Sequence, residues 1–91
     1  MLDAERRLLG GIEGLTLPVE APYAHHVYHV YAVRTADRES LMEALAAADI
    51  GCGIHYPVPV HRQEAYAALQ LPAGSYPVAE QSCAEEVSLP M

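Results

Sequence analysis

Apolar and polar positions alternate with different periods along the chain, and the changes of period mark the elements. Leu2, Leu8, Leu9 and Ile12 are apolar with charges between them, which predicts a helix over residues 1–12 that Gly10, Gly11 and Gly14 weaken and end. No N-cap signal precedes Leu2, which fits either a frayed terminus or the interior of a longer chain. Leu15 to Val19 reads as a short edge strand, since Pro18 cannot donate to a ladder, and Glu20 to Ala24 as a loop. His25 to Val33 is rich in β-branched and aromatic residues and has no breaker. Val27, His29, Tyr31 and Val33 would share one face, His26, Tyr28, Val30 and Ala32 the other; with both faces apolar, this segment is predicted as the central strand.

Asp37 is a predicted N-cap, with Glu39 in the first turn, and Leu41, Met42, Leu45 and Ala48 form one apolar stripe, giving a helix over 38–48. Gly51 to Tyr56 reads as another strand. Pro57-Val58-Pro59 follows as a stiff extended connector. A short helix is expected over 62–69 with Ala65, Tyr66 and Leu69 inward, then a loop over 71–76. Pro77 suits the first turn of a last helix, whose apolar side would be Val78, Cys83, Ala84 and Val87, followed by an apolar tail from Ser88 to Met91. The order predicts one domain over residues 1–91 of the α+β class: a small antiparallel or mixed β-sheet with helices packed on it.

Composition narrows the chemistry. The 91 residues carry 12 acidic and five basic side chains, a formal charge of −7, and every basic residue is arginine. A chain without lysine cannot form a lysine Schiff base or use a phosphate-loop lysine. The acidic balance argues against nucleic acid as a partner, and no apolar run is long enough to span a membrane. Cys52 and Cys83 form no CxxC pair, so reduced thiols in a cytoplasmic protein are expected.

The densest polar cluster is His55-Tyr56-Pro57-Val58-Pro59-Val60-His61. Imidazoles and a phenol held between prolines make a preorganised ligand edge. The same letters also suit a strand end at His55 and Tyr56 and a helix cap at His61. His25, His26 and His29 form an HHxxH run, but on a strand His25 and His29 would stand roughly 13 Å apart, too far for one metal ion. Strand-surface histidines are the better reading there. Cys83 reads as a small core residue, and Glu85 and Glu86 as a solvated helix face.

Three segments in order carry a resemblance. Gly51-Cys52-Gly53-Ile54-His55-Tyr56-Pro57-Val58-Pro59-Val60-His61-Arg62-Gln63-Glu64-Ala65-Tyr66 resembles the GxGIHYPxPxHxQxAY signature of the DegT/DnrJ/StrS sugar aminotransferases. His26 to Arg34 resembles the strand that precedes a helix in that family. Ser75-Tyr76-Pro77-Val78-Ala79-Glu80 with Glu85 to Met91 resembles its GxFPVAE…EVLSLPMFP stretch. The resemblance implies part of the C-terminal small domain of a pyridoxal-phosphate enzyme that moves an amino group, from glutamate, to a keto group of a nucleotide-linked sugar. Its HYPxP form points to 3-keto sugars. It also implies a homodimer partner and a large domain that holds the cofactor and the Schiff-base lysine, so that this chain alone is inactive. Substrate contacts would fall on His55 and Tyr56 at the active-site mouth, with His61 as companion.

The chain departs from the pattern in places. Asp49 stands where the family has glycine, Gln70-Leu71 replaces Gly-Tyr, and Glu86-Val87-Ser88 reads one residue short, which would rotate the last helix against Leu89-Pro90. The missing Phe-Pro and final helix imply a truncated copy or gene fragment. The alternative is a free-standing module that binds nucleotide sugars or assembles with a full enzyme; a metal-binding module is a weaker third. A separated piece would show exposed apolar surface, and aggregation or dimerisation is expected of it.

Overall fold

A computed structural model of the chain describes residues 7–90. The described part of the first predicted helix is helical at residues 7–9, and the rest of that prediction lies outside the described residues. The regular elements are β1 (Tyr31–Arg34), α1 (Arg38–Ala47), two 3-10 turns (Val60–Arg62 and Glu64–Leu69), α2 (Pro77–Glu85) and β2 (Glu86–Leu89). β1 and β2 pair antiparallel, Tyr31 opposite Leu89 and Val33 opposite Val87. Single bridges extend the layer on both sides: Thr16 to Arg34 on the outer edge of β1, and Gly53 to Ser88 on the outer edge of β2. The α+β class therefore holds, with every pairing among the described residues antiparallel.

Alternation along β1 and β2 sends Tyr31, Val33, Val87 and Leu89 to one face. Val33 and Val87 are 0% exposed and, with Tyr28 and Tyr31, form the buried core. Leu9, Leu15, Leu17, Leu41, Met42, Leu45, Cys52 and Leu89 pack around them. The stripe predicted on α1 thus meets the sheet through Leu41, Met42 and Leu45, while Ala48 is exposed. Asp37 caps α1 as expected: its carboxylate accepts from the Ser40 backbone N–H (3.3 Å) and from the Ser40 hydroxyl (2.8 Å). Pro77 opens α2. Arg38 closes the far end of α2, donating to the Cys83 carbonyl at 2.6 Å, where the helix leaves acceptors unpaired.

Five expectations need correction. The central strand is four residues long. Local bonds remove its first six residues: the His26 backbone N–H donates to Glu20 (2.8 Å), the His26 ring accepts from the Tyr28 N–H (2.7 Å), and Tyr28 turns to φ +49°. Val27 is left exposed and the HHxxH histidines stand on irregular chain. The strand predicted over 51–56 survives only as the Gly53 bridge, and the one over 15–19 only as the Thr16 bridge. The helix predicted over 62–69 is 3-10, whose three-residue period stacks Tyr66 and Leu69 on one face; they are exposed rather than inward. The last helix stops at Glu85, and Glu86–Leu89, expected as helix end and tail, is the strand that completes the sheet.

Two departures fall on left-handed backbone. Asp49 has φ +61° and Gln70 φ +53°, which explains why glycine suits both places. Gln70 ends the second 3-10 turn in that conformation. Replacing it with glycine (Gln70→Gly) removes the Cβ penalty at the cost of a freer unfolded chain. A net gain of about 0.5–1 kcal/mol is expected in urea unfolding; an unchanged or lower midpoint would contradict the assignment.

Candidate functional site

The segment from Cys52 to His61 leaves the edge of the sheet. Ser88 pins its start by exchanging two backbone bonds with Gly53, at 2.8 and 3.2 Å. The His55–Tyr56 peptide that follows is cis. Pro57 and Pro59 then carry the chain, extended at Pro59, into the 3-10 turns. Side chains from this one segment end in two separate recesses.

The first is an open apolar groove of about 690 Å³. Tyr56, Val58, Val60, His61, Tyr66 and Tyr76 are among the residues that line it. Tyr56 is 69% exposed there. His61 is the opposite case: its side chain is 7% exposed and packs edge-on against Tyr76, ring centroids 4.8 Å apart. Its Nε2 lies 3.4 Å from a Glu80 oxygen. That distance gives electrostatic attraction when the ring is protonated but no well-formed hydrogen bond, and Nε2 has no other partner.

Glu80 organises this wall. Its carboxylate accepts the Gly74 N–H (2.8 and 2.9 Å) and the Tyr76 N–H (3.1 Å), closing the loop over 72–76 onto the start of α2. The Gly74 bond is the main cause that holds the Glu80 carboxyl below the usual carboxylate range; desolvation works against it, and Tyr76 and His61 add to it.

The second recess, about 530 Å³, holds His55 beside His29, Cys52, Gly53, Ser88 and Leu89. Here the His55 ring is tied down. Nδ1 lies 2.7 Å from the Ser88 hydroxyl, which donates to Glu86 Oε1 at 2.5 Å; the second Glu86 oxygen accepts the His55 backbone N–H at 2.8 Å. Glu86 and Ser88 sit two residues apart on β2, so both fall on the face opposite Val87. Glu86 is 8% exposed, which corrects its reading as part of a solvated helix face: it has left the helix and lies against the sheet edge.

The structure thus brings Tyr56 and His61 to one groove and puts His55 in another recess. It adds Glu86, expected on a solvated helix face, and Ser88, expected in an apolar tail. The available signal was the alternation Glu-Val-Ser-Leu, a period of two hidden behind a helical apolar stripe. Cys83, expected as a core residue, is half-buried at the groove floor. Among the described residues, no group of three or more His, Cys, Asp or Glu side chains is placed to hold a metal ion. No helix there is long and apolar enough to cross a membrane.

Comparison with known proteins agrees with these features. Residues 2–91 match the DegT/DnrJ/EryC1/StrS aminotransferase family, to which the chain belongs. It is 45% identical over 83 residues to dTDP-3-amino-3,4,6-trideoxy-alpha-D-glucose transaminase of Streptomyces venezuelae, covering 91% of this chain and 22% of the relative. It is 41% identical over 75 residues to dTDP-3-amino-3,6-dideoxy-alpha-D-galactopyranose transaminase of Aneurinibacillus thermoaerophilus, covering 82% of this chain and 20% of the relative. The crystal structure of S. venezuelae DesV in complex with a ketimine intermediate superposes with a TM-score of 0.93 at 44% identity, over 99% of this chain and 24% of that one. The chain therefore spans about a quarter or less of the length of the relatives it matches.

The Glu80 contacts make a pH-dependent prediction. A carboxyl whose folded pKa is depressed contributes stability above its unfolded pKa and loses it as pH falls through the folded value. Glu80→Gln should lower the melting temperature at pH 7, and the gap from the unmodified chain should close as pH drops below the usual carboxylate range. A gap of constant size down to acid pH would show that the charge on Glu80 is not what stabilises the loop.

Proposed function

We propose that this chain is the substrate-side small domain of a pyridoxal-phosphate-dependent aminotransferase that acts on a nucleotide-linked keto sugar. The observation that carries the reading is the HYPxP segment itself. It is pinned to the sheet by Gly53 and held by prolines, with an exposed phenol and an anchored imidazole on adjacent residues. Family membership supplies the reaction class, and the two sugar transaminases named above both carry 3-amino sugars in their names. A 3-amino product arises from a 3-keto precursor, so a 3-keto sugar is the proposed acceptor, with glutamate as amino donor.

The chain's own residues do not fit the cofactor's covalent anchorage. The aldehyde of pyridoxal phosphate condenses with a lysine amine, and no lysine exists among the 91 residues. The amine, the phosphate cradle and the chemical step therefore belong to polypeptide outside this chain, in a large domain and a homodimer partner. What remains for these residues is binding and orientation. Tyr56 can donate a hydrogen bond from its exposed hydroxyl, His55 offers a ring nitrogen, and His61 lines the groove beside Tyr56.

A titration of the chain with a thymidine diphosphate hexose tests this. Saturable binding is expected, weakened roughly 5- to 10-fold in Tyr56→Phe and in His55→Ala, the effect of about 1 kcal/mol for one lost hydrogen bond. Binding that both variants retain in full would remove the two residues from the site. Absence of binding at millimolar ligand would defeat the substrate-side assignment for the isolated chain.

A further inference from the structure

We propose that Glu86 and Ser88 are positioning residues that fix the tautomer of His55, so that its outer nitrogen, Nε2, accepts a hydrogen bond from a ligand hydroxyl. The assignment of the relay rests on geometry alone, and only its ligand half rests on the function proposed above. As a carboxylate, Glu86 can only accept. The one proton of the Ser88 hydroxyl therefore goes to Glu86 Oε1, 2.5 Å away. Ser88 Oγ is left with lone pairs, and the His55 Nδ1 at 2.7 Å must supply the proton between them. The neutral ring is then protonated on Nδ1 and bare on Nε2.

Three further features support a built arrangement. Glu86 and Ser88 are both buried, so neither group has bulk water as an easy substitute partner. The second Glu86 oxygen takes the His55 backbone N–H at 2.8 Å, which ties main chain and ring of one residue to one carboxylate. At Gly53, a Cβ would lie 3.4 Å from the ring's Cε1, so the glycine leaves that edge of the imidazole open. Among the described residues, Nε2 carries no hydrogen bond, and the ring lines the recess beside His29 and Gly53.

The consequence is chemical selectivity. A bare Nε2 seeks a donor, and a sugar hydroxyl is one. A diphosphate oxygen offers only lone pairs and would additionally face the buried negative charge of Glu86 behind the ring. His55 is thus assigned to the sugar rather than to the diphosphate. Inserting a hydroxyl between carboxylate and imidazole sets the tautomer without placing the charge itself against the ring.

The tautomer is readable directly on the 15N-labelled full chain, from long-range 1H–15N correlations at a pH where the ring is neutral. The expected pattern is a pyrrole-type signal on Nδ1 and a pyridine-type signal on Nε2 of His55. Ser88→Ala and Glu86→Gln should each move the population to the Nε2–H form, and Ser88→Thr, which keeps the hydroxyl, should restore the original pattern. A native ring already protonated on Nε2 overturns the relay, because the proton chain would then run from a protonated Glu86 outward. This measurement needs no variant and no ligand. In the second arm, the thymidine diphosphate hexose should shift the Nε2 signal and thymidine diphosphate alone should not. Equal shifts from both ligands overturn the sugar assignment while leaving the tautomer intact. If the hexose leaves every signal of the chain unmoved, the substrate-side reading fails and takes the ligand half of the proposal with it.

Discussion

The pairing of Tyr31–Arg34 with Glu86–Leu89 is the constraint on which everything else rests, and it joins segments far apart in the sequence. Each strand contributes one fully buried valine, and the two stand opposite each other. All the material between them (α1, the HYPxP segment, the 3-10 turns and α2) is one long excursion closed by this ladder. Closing so long a loop costs entropy that grows slowly with its length, which is why so short a ladder needs added ties. Thr16 supplies one on the free edge of β1, Gly53 supplies one on β2, and Arg38 anchors the C-terminal end of α2 beside the point where β2 begins.

The site inherits its geometry from the same ladder. Because β2 alternates, Val87 enters the core while Glu86 and Ser88 turn to the other face. Ser88 does two things at once: its backbone holds Gly53, and its hydroxyl holds the His55 ring two residues further on. The HYPxP segment is therefore fastened to the fold at both the main chain and the side chain of one strand residue. A change that slid β2 by one residue would exchange the faces, bury Ser88 in the core and turn Val87 toward His55.

What could be read from the sequence was what depends on near neighbours. The Asp37 cap, the apolar stripe of α1, the proline start of α2 and the tolerance of Asp49 for a left-handed turn are all local, and all are present. The shortened β1 is a different matter: nine residues of high strand propensity lose their first six to side-chain bonds from Glu20 and His26 to the backbone. β2 was missed because Val87 continues the helical spacing of Val78 and Cys83, and only a partner strand distant in the sequence decides between the two periods. For the site, the reacting types at His55, Tyr56 and His61 were legible as a cluster, whereas the separation of His55 from Tyr56 into two recesses and its attachment to Glu86 were not. Sequence distance conceals a carboxylate that folding brings to hydrogen-bond range.

The two recesses differ in what holds them. His55 stands on the sheet, tied to buried groups beside the core. The groove of Tyr56 and His61 is built outside that core, from 3-10 turns whose side chains, His61 apart, are exposed. Its walls are held by single bonds such as Gln63 to the Val58 carbonyl at 3.3 Å, Arg62 to the Leu71 carbonyl at 3.2 Å, and the Glu80 contacts to the loop over 72–76. Segments held by few buried contacts and by exposed hydrogen bonds open at lower free energy than core strands. The His55 imidazole is thus the more firmly held of the two side chains and the Tyr56 phenol the less. For the function proposed above, orientation of a reacting carbonyl would need a rigid reference, and a groove that admits and releases a bulky ligand would benefit from walls that give. Placing these on adjacent residues, one bound to the sheet and one not, lets a single short segment supply both.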